Sequence, residues 1–139
     1  MSFVGSIRIE VSPGELFDKI SILEIKSERI AEEQKLQNVR NELDTLTQSR
    51  NAAITANPKL AGIVTRLKTV NERLWNIEDR IRGCEREGNF GPEFIELARS
   101  VYRQNDMRAA LKRQINDLLG ARLIEEKAYV DYTGEHRAL

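Results

Sequence analysis

The positions of the three prolines constrain the fold of this chain more than any other sequence feature. Pro13 and Pro58 each follow a residue that caps helix N-termini, Ser12 and Asn57, and Pro92 follows a glycine-rich stretch. Proline is tolerated in the first turn of a helix and breaks its interior. The spacing therefore predicts three helices, over residues 13–50, 58–83 and 92–119, followed by a tail over residues 120–139.

Apolar periodicity supports these helices and suggests how they pack. The second helix carries a continuous stripe with spacings of three and four: Leu60, Ile63, Leu67, Val70, Leu74, Ile77 and Ile81. The later half of the first helix carries one narrow seam, from Leu36 to Leu46, whereas its first half has two apolar faces. We therefore predict an all-α fold in one domain: a long antiparallel hairpin whose base is covered by the third, shorter helix and whose distal half projects as a coiled-coil arm.

The segments outside the helices are short. Residues 6–11 alternate apolar and charged side chains, which predicts a half-buried strand or an extended arm.

The 22 basic and 22 acidic residues balance, so nothing favours a nucleic-acid partner. Nor is there a secretory leader or a run of about 20 apolar residues, and we expect a cytoplasmic protein. Cys84 lacks a disulfide partner and is expected as a reduced thiol in or beside a loop, and His136 lies in the tail.

Polar residues interrupt the apolar stripes at one level of the predicted bundle. Ser27 breaks a stripe of the first helix, and Asn105 and Arg108 break that of the third. We expect the third helix to start beside the start of the first, which brings these interruptions to the same level. They then predict a buried polar layer that includes Glu24 or Glu28, and Lys112. Such a layer can be a structural pair that fixes helix register, or a pocket in which Arg108 and Lys112 bind an anionic group.

Trp75, the only tryptophan, lies one step from the stripe of the second helix, with Glu78 and Arg82 on the same flank. Glu78 and Arg82 have the spacing of a helical ion pair. The tryptophan can seal the second helix against the third, or it can be a stacking platform for a sugar or a base.

Pairs of acidic residues also raise the question of a metal site: Glu15 and Asp18, Glu24 and Glu28, and Glu78 and Asp79. All-α pyrophosphohydrolases hold magnesium with such pairs. In this chain the same carboxylates have structural roles that need no metal, because Glu15 is expected to complete a capping box with Ser12 and Glu78 can pair with Arg82. We predict no metal, no cofactor and no catalytic residue, since phosphate-loop and nucleophile motifs are missing.

Several long blocks resemble a family of small uncharacterised bacterial proteins, a domain of unknown function. They are "SPGELFDKISILEIKSERI", "NVRNEL", "LWNIEDRIR", "FGPEFIELARSVYRQNDMRAALKRQINDLLG" and "EEKAY". The resemblance implies no reaction, and it suggests only a loose link to surface polysaccharide biosynthesis. Because the blocks cover the basal bundle and omit the hairpin tip, a ligand site would be basal. The candidate ligand-binding residues are Lys19, Glu24, Lys26, Trp75, Glu78, Arg82, Asn105, Arg108 and Lys112.

For function, the sequence favours a helical scaffold or accessory protein that acts through protein contacts. We expect a homodimer, because two helices that project alone bury little apolar surface and such arms commonly end in oligomer contacts. The alternative is a small-molecule binding protein or enzyme with an anion-binding pocket for a phosphosugar or nucleotide. The two differ in one observable. A scaffold pairs every charge of its polar layer, whereas a ligand site leaves Arg108, Lys112 or Lys19 without a protein partner.

Overall fold

The computed structural model describes residues 5–134, and all regular structure in that range is helical. The all-α prediction is confirmed. No strand occurs between residues 5 and 134. The helices are α1 (Pro13–Arg29), α2 (Glu33–Ala53), α3 (Pro58–Glu87) and α4 (Pro92–Leu119).

The three prolines stand in the first turns of α1, α3 and α4, as predicted. The Ser12 hydroxyl accepts a hydrogen bond from the Glu15 amide at 3.2 Å, and the Asn57 side chain accepts from the amides of Lys59 and Leu60. α3 continues through Gly83 and ends at Glu87. Its C-cap is Gly88, whose φ of 67° lies in the left-handed region that glycine adopts without strain. The predicted end of this helix was therefore four residues too early.

The first predicted helix is two helices, so its predicted span of residues 13–50 is wrong. Ile30 and Glu32 have extended backbone angles. The Glu32 carboxylate then caps α2 by accepting hydrogen bonds from the amides of Gln34 and Lys35, each at 3.0 Å. Because glutamate is not among the usual capping residues, the sequence carried no conventional start signal at this position.

Replacing Glu32 by alanine is expected to lower the free energy of unfolding by about 0.5–1 kcal/mol, because two amides of α2 lose their acceptor. Chemical denaturation measures the change. Arg40→Ala, at an exposed position of the same helix, is the control and should leave stability within about 0.5 kcal/mol. Equal stability of the two variants would mean that the Glu32 cap does not hold the α1–α2 turn.

The break reverses the chain, and this changes which helices are neighbours. α2 runs back along α1, so that Ile54 and Phe17 line the same cavity. The Cα atoms of α2 approach those of α1 within 8 Å but not those of α3 or α4. The predicted arm of residues 36–46 against residues 60–70 is therefore wrong, and α2 covers the outside of α1.

The core lies among α1, α3 and α4 and confirms the stripe of the second predicted helix. Phe17 of α1 packs there with Leu111 and Ile115 of α4 and with the first four residues of the α3 stripe. In contrast, α2 has no buried residue, and its seam from Leu36 to Leu46 is half-buried. α2 therefore adds little to the core, which depends on the other three helices.

The segments flanking the helices have no regular secondary structure. Two alternatives were predicted for residues 6–11, a half-buried strand and an extended arm. Ile7 and Ile9 are 80% and 77% exposed and the segment forms no strand, so the first alternative is wrong and the second agrees with the structure. Residues 121–134 follow α4 without forming a helix or strand, and His136 lies outside the described residues. No helix within residues 5–134 combines the length and apolarity that crossing a membrane requires.

Cys84 is buried in the last turns of α3 rather than in or beside a loop. Burial raises the pKa of its thiol, and the nearby carboxylates of Glu93 and Glu87 act in the same direction. A raised pKa keeps the sulfur protonated at neutral pH, and a thiol is a weak nucleophile.

Candidate functional site

A carboxylate, Asp18, lies at the centre of the bundle with 1% of its surface exposed. Its Oδ1 accepts hydrogen bonds from Asn71 Nδ2 and from Arg108 Nε, both at 2.9 Å, and its Oδ2 accepts a short one from Arg108 Nη2. The arginine therefore holds the carboxylate through two of its nitrogens. Such a bidentate pair offsets the cost of burying the charge better than a single contact would.

The position of Asp18 follows from the spacing along α1. Gly14, Asp18, Ser21 and Ile25 are four, three and four residues apart and are all buried, so they form one face of the helix. Ser21 Oγ donates to the carbonyl of Asp18 at 2.8 Å and accepts from Asn71 Nδ2 at 2.7 Å. Two small residues and one carboxylate thus form the side of α1 that faces α3 and α4.

Lys112 extends the polar layer toward the tail. Its Nζ lies 2.8 Å from Glu15 Oε2, 2.7 Å from Glu125 Oε2 and 3.9 Å from Asp18 Oδ2. Burial opposes the charge of this lysine, but the hydrogen bonds to Glu125 and Glu15 outweigh it and raise the pKa of Lys112. The hydrogen bonds to Asp18 likewise raise the pKa of Arg108. Both side chains therefore remain cations at neutral pH.

These contacts show that α4 runs antiparallel to α1. Gly14 lies against Asn116, whose Oδ1 accepts from the Gly14 amide at 2.7 Å, and Asp18 lies against Arg108. The register predicted for parallel helices, with Arg108 beside Glu24 or Glu28, is wrong because the break at residues 30–32 reverses the chain. Glu24 and Glu28 instead pair with Lys68, at 3.9 and 2.6 Å.

Two clefts flank this polar layer. The α1–α3–α4 cleft has a volume of about 600 Å³ and is lined by Ile22, Ile25, Lys26, Asn71, Leu74, Trp75, Glu78, Asp79, Arg82, Val101, Asn105 and Arg108. The tail cleft, of about 530 Å³, lies between α4 and the residues that follow it, and is lined by Val101, Tyr102, Asn105, Asp106, Arg108, Ala109, Lys112, Glu125, Glu126, Lys127 and Tyr129. Val101, Asn105 and Arg108 line both.

The structure brings most of the predicted candidate residues to these clefts. Lys26, Trp75, Glu78, Arg82, Asn105 and Arg108 line the α1–α3–α4 cleft, and Lys112 lines the tail cleft. Lys19 and Glu24 line neither of the two. Lys19 is exposed and lies 3.7 Å from Glu15. The Glu15 carboxylate therefore pairs with Lys19 and Lys112. Within residues 5–134 it accepts no hydrogen bond from the Ser12 amide, so the capping box is incomplete.

Trp75 is half-buried, with the Arg29 guanidinium 5.7 Å from its ring centroid. Glu78 and Arg82 form the predicted ion pair, at 3.6 Å. In the cleft, Lys26 and Asn105 are half-buried, and within residues 5–134 neither side chain has a hydrogen-bond or ion-pair partner. These two groups are therefore available to a ligand.

Four members of the polar layer were not predicted from the sequence: Asp18 as its centre, and Ser21, Asn71 and Glu125. The signal for Asp18 and Ser21 was their spacing with Gly14 and Ile25. Across the described residues, no three His, Cys, Asp or Glu side chains come together as a metal-binding group. Chemically, the layer is a network in which ion pairs connect α1, α4 and the tail, and hydrogen bonds of Asn71 connect α3 to α1.

Comparisons with known proteins identify the chain only at the level of a family. The model of a family described as "Family of unknown function (DUF6165)" matches residues 7–134. No curated protein and no solved structure matches the chain.

Proposed function

The chain belongs to the DUF6165 family, whose function is unknown, and we propose from its own geometry that it is a helical scaffold that forms a homodimer through its two terminal segments. We define the N-terminal segment as residues 6–11 and the C-terminal segment as residues 124–134. The proposed role depends on protein contacts and needs no catalytic group.

The observation that carries this proposal is the exposure of large apolar side chains in both segments. Ile7 and Ile9 are about four-fifths exposed, and Tyr129 and Val130 are 82% and 91% exposed. Isolated exposed apolar residues are common on soluble proteins, but a concentration of them marks an interaction surface. These four side chains add nothing to the core of their own chain.

The sequence pattern of both segments suits pairing as strands. Ile7, Ile9 and Val11 alternate with charged residues, and in the C-terminal segment Val130 and Tyr132 are likewise two residues apart. In the described part of the chain, residues 6–11 and 124–130 make no backbone-to-backbone hydrogen bond with another part of the chain. The amides and carbonyls of residues 6–11 and 124–130 are thus available to form a ladder with another chain.

A second copy of the chain is the partner that fits these segments. Glu10 and Arg122 form an ion pair that joins the end of the N-terminal segment to the chain just before the C-terminal segment. A two-fold axis near this pair would place the N-terminal segment of one copy beside the C-terminal segment of the other, and would do so twice. The balance of 22 basic and 22 acidic residues means that two copies do not repel each other through net charge.

The polar layer supports a scaffold as well. Arg108, Lys112 and Lys19 each have a carboxylate partner. Arg108 and Lys112 of α4 pair with carboxylates of α1, which is the arrangement expected of ion pairs that fix helix register. A cytoplasmic location and the loose link to surface polysaccharide biosynthesis remain predictions from the sequence.

Replacing Ile7 and Ile9 together by aspartate is expected to weaken dimerisation at least about 100-fold. The reason is that burying each isoleucine side chain in the dimer would contribute roughly 1.5–3 kcal/mol to the free energy of association. Sedimentation over a concentration series measures the dissociation constant. The melting temperature of the dissociated variant should equal that of the wild-type monomer, since both side chains are exposed in the monomer.

The control is the double variant Gln37→Asp and Gln48→Asp, which adds the same two charges to exposed positions of α2 and should still dimerise. A wild-type chain that remains monomeric at every concentration would contradict the proposal. So would a dimer that both double variants form equally well, because the interface would then lie outside the N-terminal segment.

A further inference from the structure

The α1–α3–α4 cleft has the size and construction of a small-molecule site. Its volume of about 600 Å³ lies within the range of roughly 300–1,000 Å³ that ligand sites occupy. Three helices form its walls, so its side chains are held by regular structure rather than by a loop. No residue of the terminal segments, to which the scaffold function is assigned, lines this cleft, although Asn105 and Arg108 also line the neighbouring tail cleft.

Hydrogen-bond donors without protein partners converge in the cleft. Lys26 on α1 and Asn105 on α4 are both half-buried, and neither has a partner within the described residues. Arg108 lines the same wall and lies one turn beyond Asn105 on α4. An ammonium, an amide and a guanidinium therefore contribute to one concave surface.

Arg108 is oriented before any ligand arrives. Asp18 occupies its Nε and Nη2, while no hydrogen bond within residues 5–134 involves its Nη1. Since Asp18 is almost completely buried, this ion pair fixes the plane of the guanidinium. A preoriented cation costs less entropy to engage than a free one, which favours binding of an anion.

The remainder of the cleft offers a different surface. Trp75 contributes a flat aromatic side chain, and Glu78 and Asp79 contribute carboxylates. Asp79 has no ion-pair or hydrogen-bond partner in the part of the chain that the structure describes. An aromatic face packs against a ring, and carboxylates accept hydrogen bonds from hydroxyl groups.

We propose that the α1–α3–α4 cleft binds the phosphate monoester of a small hydroxylated ring compound. The phosphate contacts Lys26, Asn105 and Arg108, and the ring packs against Trp75 with its hydroxyl groups toward Glu78 and Asp79. A sugar phosphate and a nucleoside monophosphate share this chemistry. The site includes no residue of the two terminal segments, so either proposal can fail without the other.

Isothermal titration calorimetry on the full chain tests the ligand class with five probes: glucose 6-phosphate, adenosine monophosphate, glucose, adenosine and inorganic phosphate. We expect one of the two esters to bind at least about tenfold more tightly than inorganic phosphate and than its own unphosphorylated parent. Which ester binds distinguishes the sugar from the nucleoside. The proposal is overturned if neither ester binds, or if inorganic phosphate or an unphosphorylated parent binds as tightly.

Variants test the location of the site. Lys26→Ala should weaken binding of the ester about tenfold or more, and because Lys26 has no carboxylate partner, the melting temperature should stay unchanged. Lys35→Ala removes the same charge from an exposed position of α2 and should bind like the wild type. Equal affinities of the two variants would overturn the assignment to this cleft.

Trp75→Phe separates the contribution of the ring from that of the phosphate. It keeps an aromatic side chain in the half-buried position but reduces the surface available to a ring. Affinity for the ester should fall several-fold, while the weak affinity for inorganic phosphate should not change. A parallel loss of both affinities would contradict the proposed orientation.

Discussion

Asp18→Asn is expected to lower the free energy of unfolding by about 3 kcal/mol, the low end of the range for removing one partner of a buried ion pair. The substitution keeps the shape of the side chain and removes its charge. Arg108 and Lys112 then lose a carboxylate that is 1% exposed in the native protein. The low end applies because 30% of the Arg108 side chain is exposed and solvent can replace part of the lost interaction.

Thermal and chemical denaturation measure this loss, which corresponds to a fall in melting temperature of roughly 10 °C for a chain of this size. Asp44→Asn removes a carboxylate from an exposed position of α2 and should change stability by less than about 0.5 kcal/mol. If Asp18→Asn were equally mild, the ion pair with Arg108 would not stabilise the bundle.

A double-mutant cycle separates the ion pair from other effects of the substitution. Arg108→Met removes the charge that Asp18→Asn leaves without its partner, so the double variant should be more stable than the sum of the single changes predicts. The coupling energy should lie between about 1 and 3 kcal/mol. Purely additive losses would show that the two side chains contribute independently.

The sequence predicted the helices wherever a proline and a capping residue marked the start. The stripe of α3 from Leu60 to Val70 is the buried side of that helix, and α4 has the predicted bounds. Local chemistry determines these features, because caps, prolines and apolar spacing act within a few residues of each other.

The break between α1 and α2 could not be predicted in the same way, since its cap is Glu32. The change of apolar face within the first predicted helix was the only trace, and we interpreted it as one helix with two neighbours. That error reversed the direction of α4 relative to α1 and placed Arg108 beside Glu24 instead of Asp18. A single unmarked turn thus changed the predicted contacts of α1 with the other helices, whereas the packing of α3 against α4 was predicted.

In the candidate site, too, the sequence predicted features that depend on neighbouring residues and did not predict partners that are distant in sequence. Arg108 and Lys112 were recognised as polar interruptions of an apolar stripe, and both contribute to the buried layer. Asp18 was considered only as part of a metal-binding pair with Glu15, because its partner is 90 residues away in sequence. Sequence spacing shows which side chains share a helix face, whereas their partners depend on how the helices assemble.

Gly14→Ala should destabilise the protein by about 2–3 kcal/mol, although alanine is the better helix former by about 1 kcal/mol. A Cβ atom at Gly14 would lie 2.5 Å from the carbonyl oxygen of Lys112 and 2.9 Å from Asn116 Oδ1. Backbone atoms cannot move aside as a side chain can, so α1 and α4 would have to separate. Separation would also weaken the hydrogen bond between the Gly14 amide and Asn116.

Gly62→Ala is the matched control for this prediction, because Gly62 is an exposed residue of α3 and an added Cβ would have no neighbour within 4 Å. There the substitution should raise stability by about 0.5–1 kcal/mol. Opposite signs at two helical glycines would show that contact between α1 and α4 determines the effect.

In an Asn116→Ala background, Gly14→Ala should still destabilise, since the Lys112 carbonyl remains in place. If the loss vanished in that background, the clash would lie with the Asn116 side chain, and the backbones of α1 and α4 would not be in such close contact.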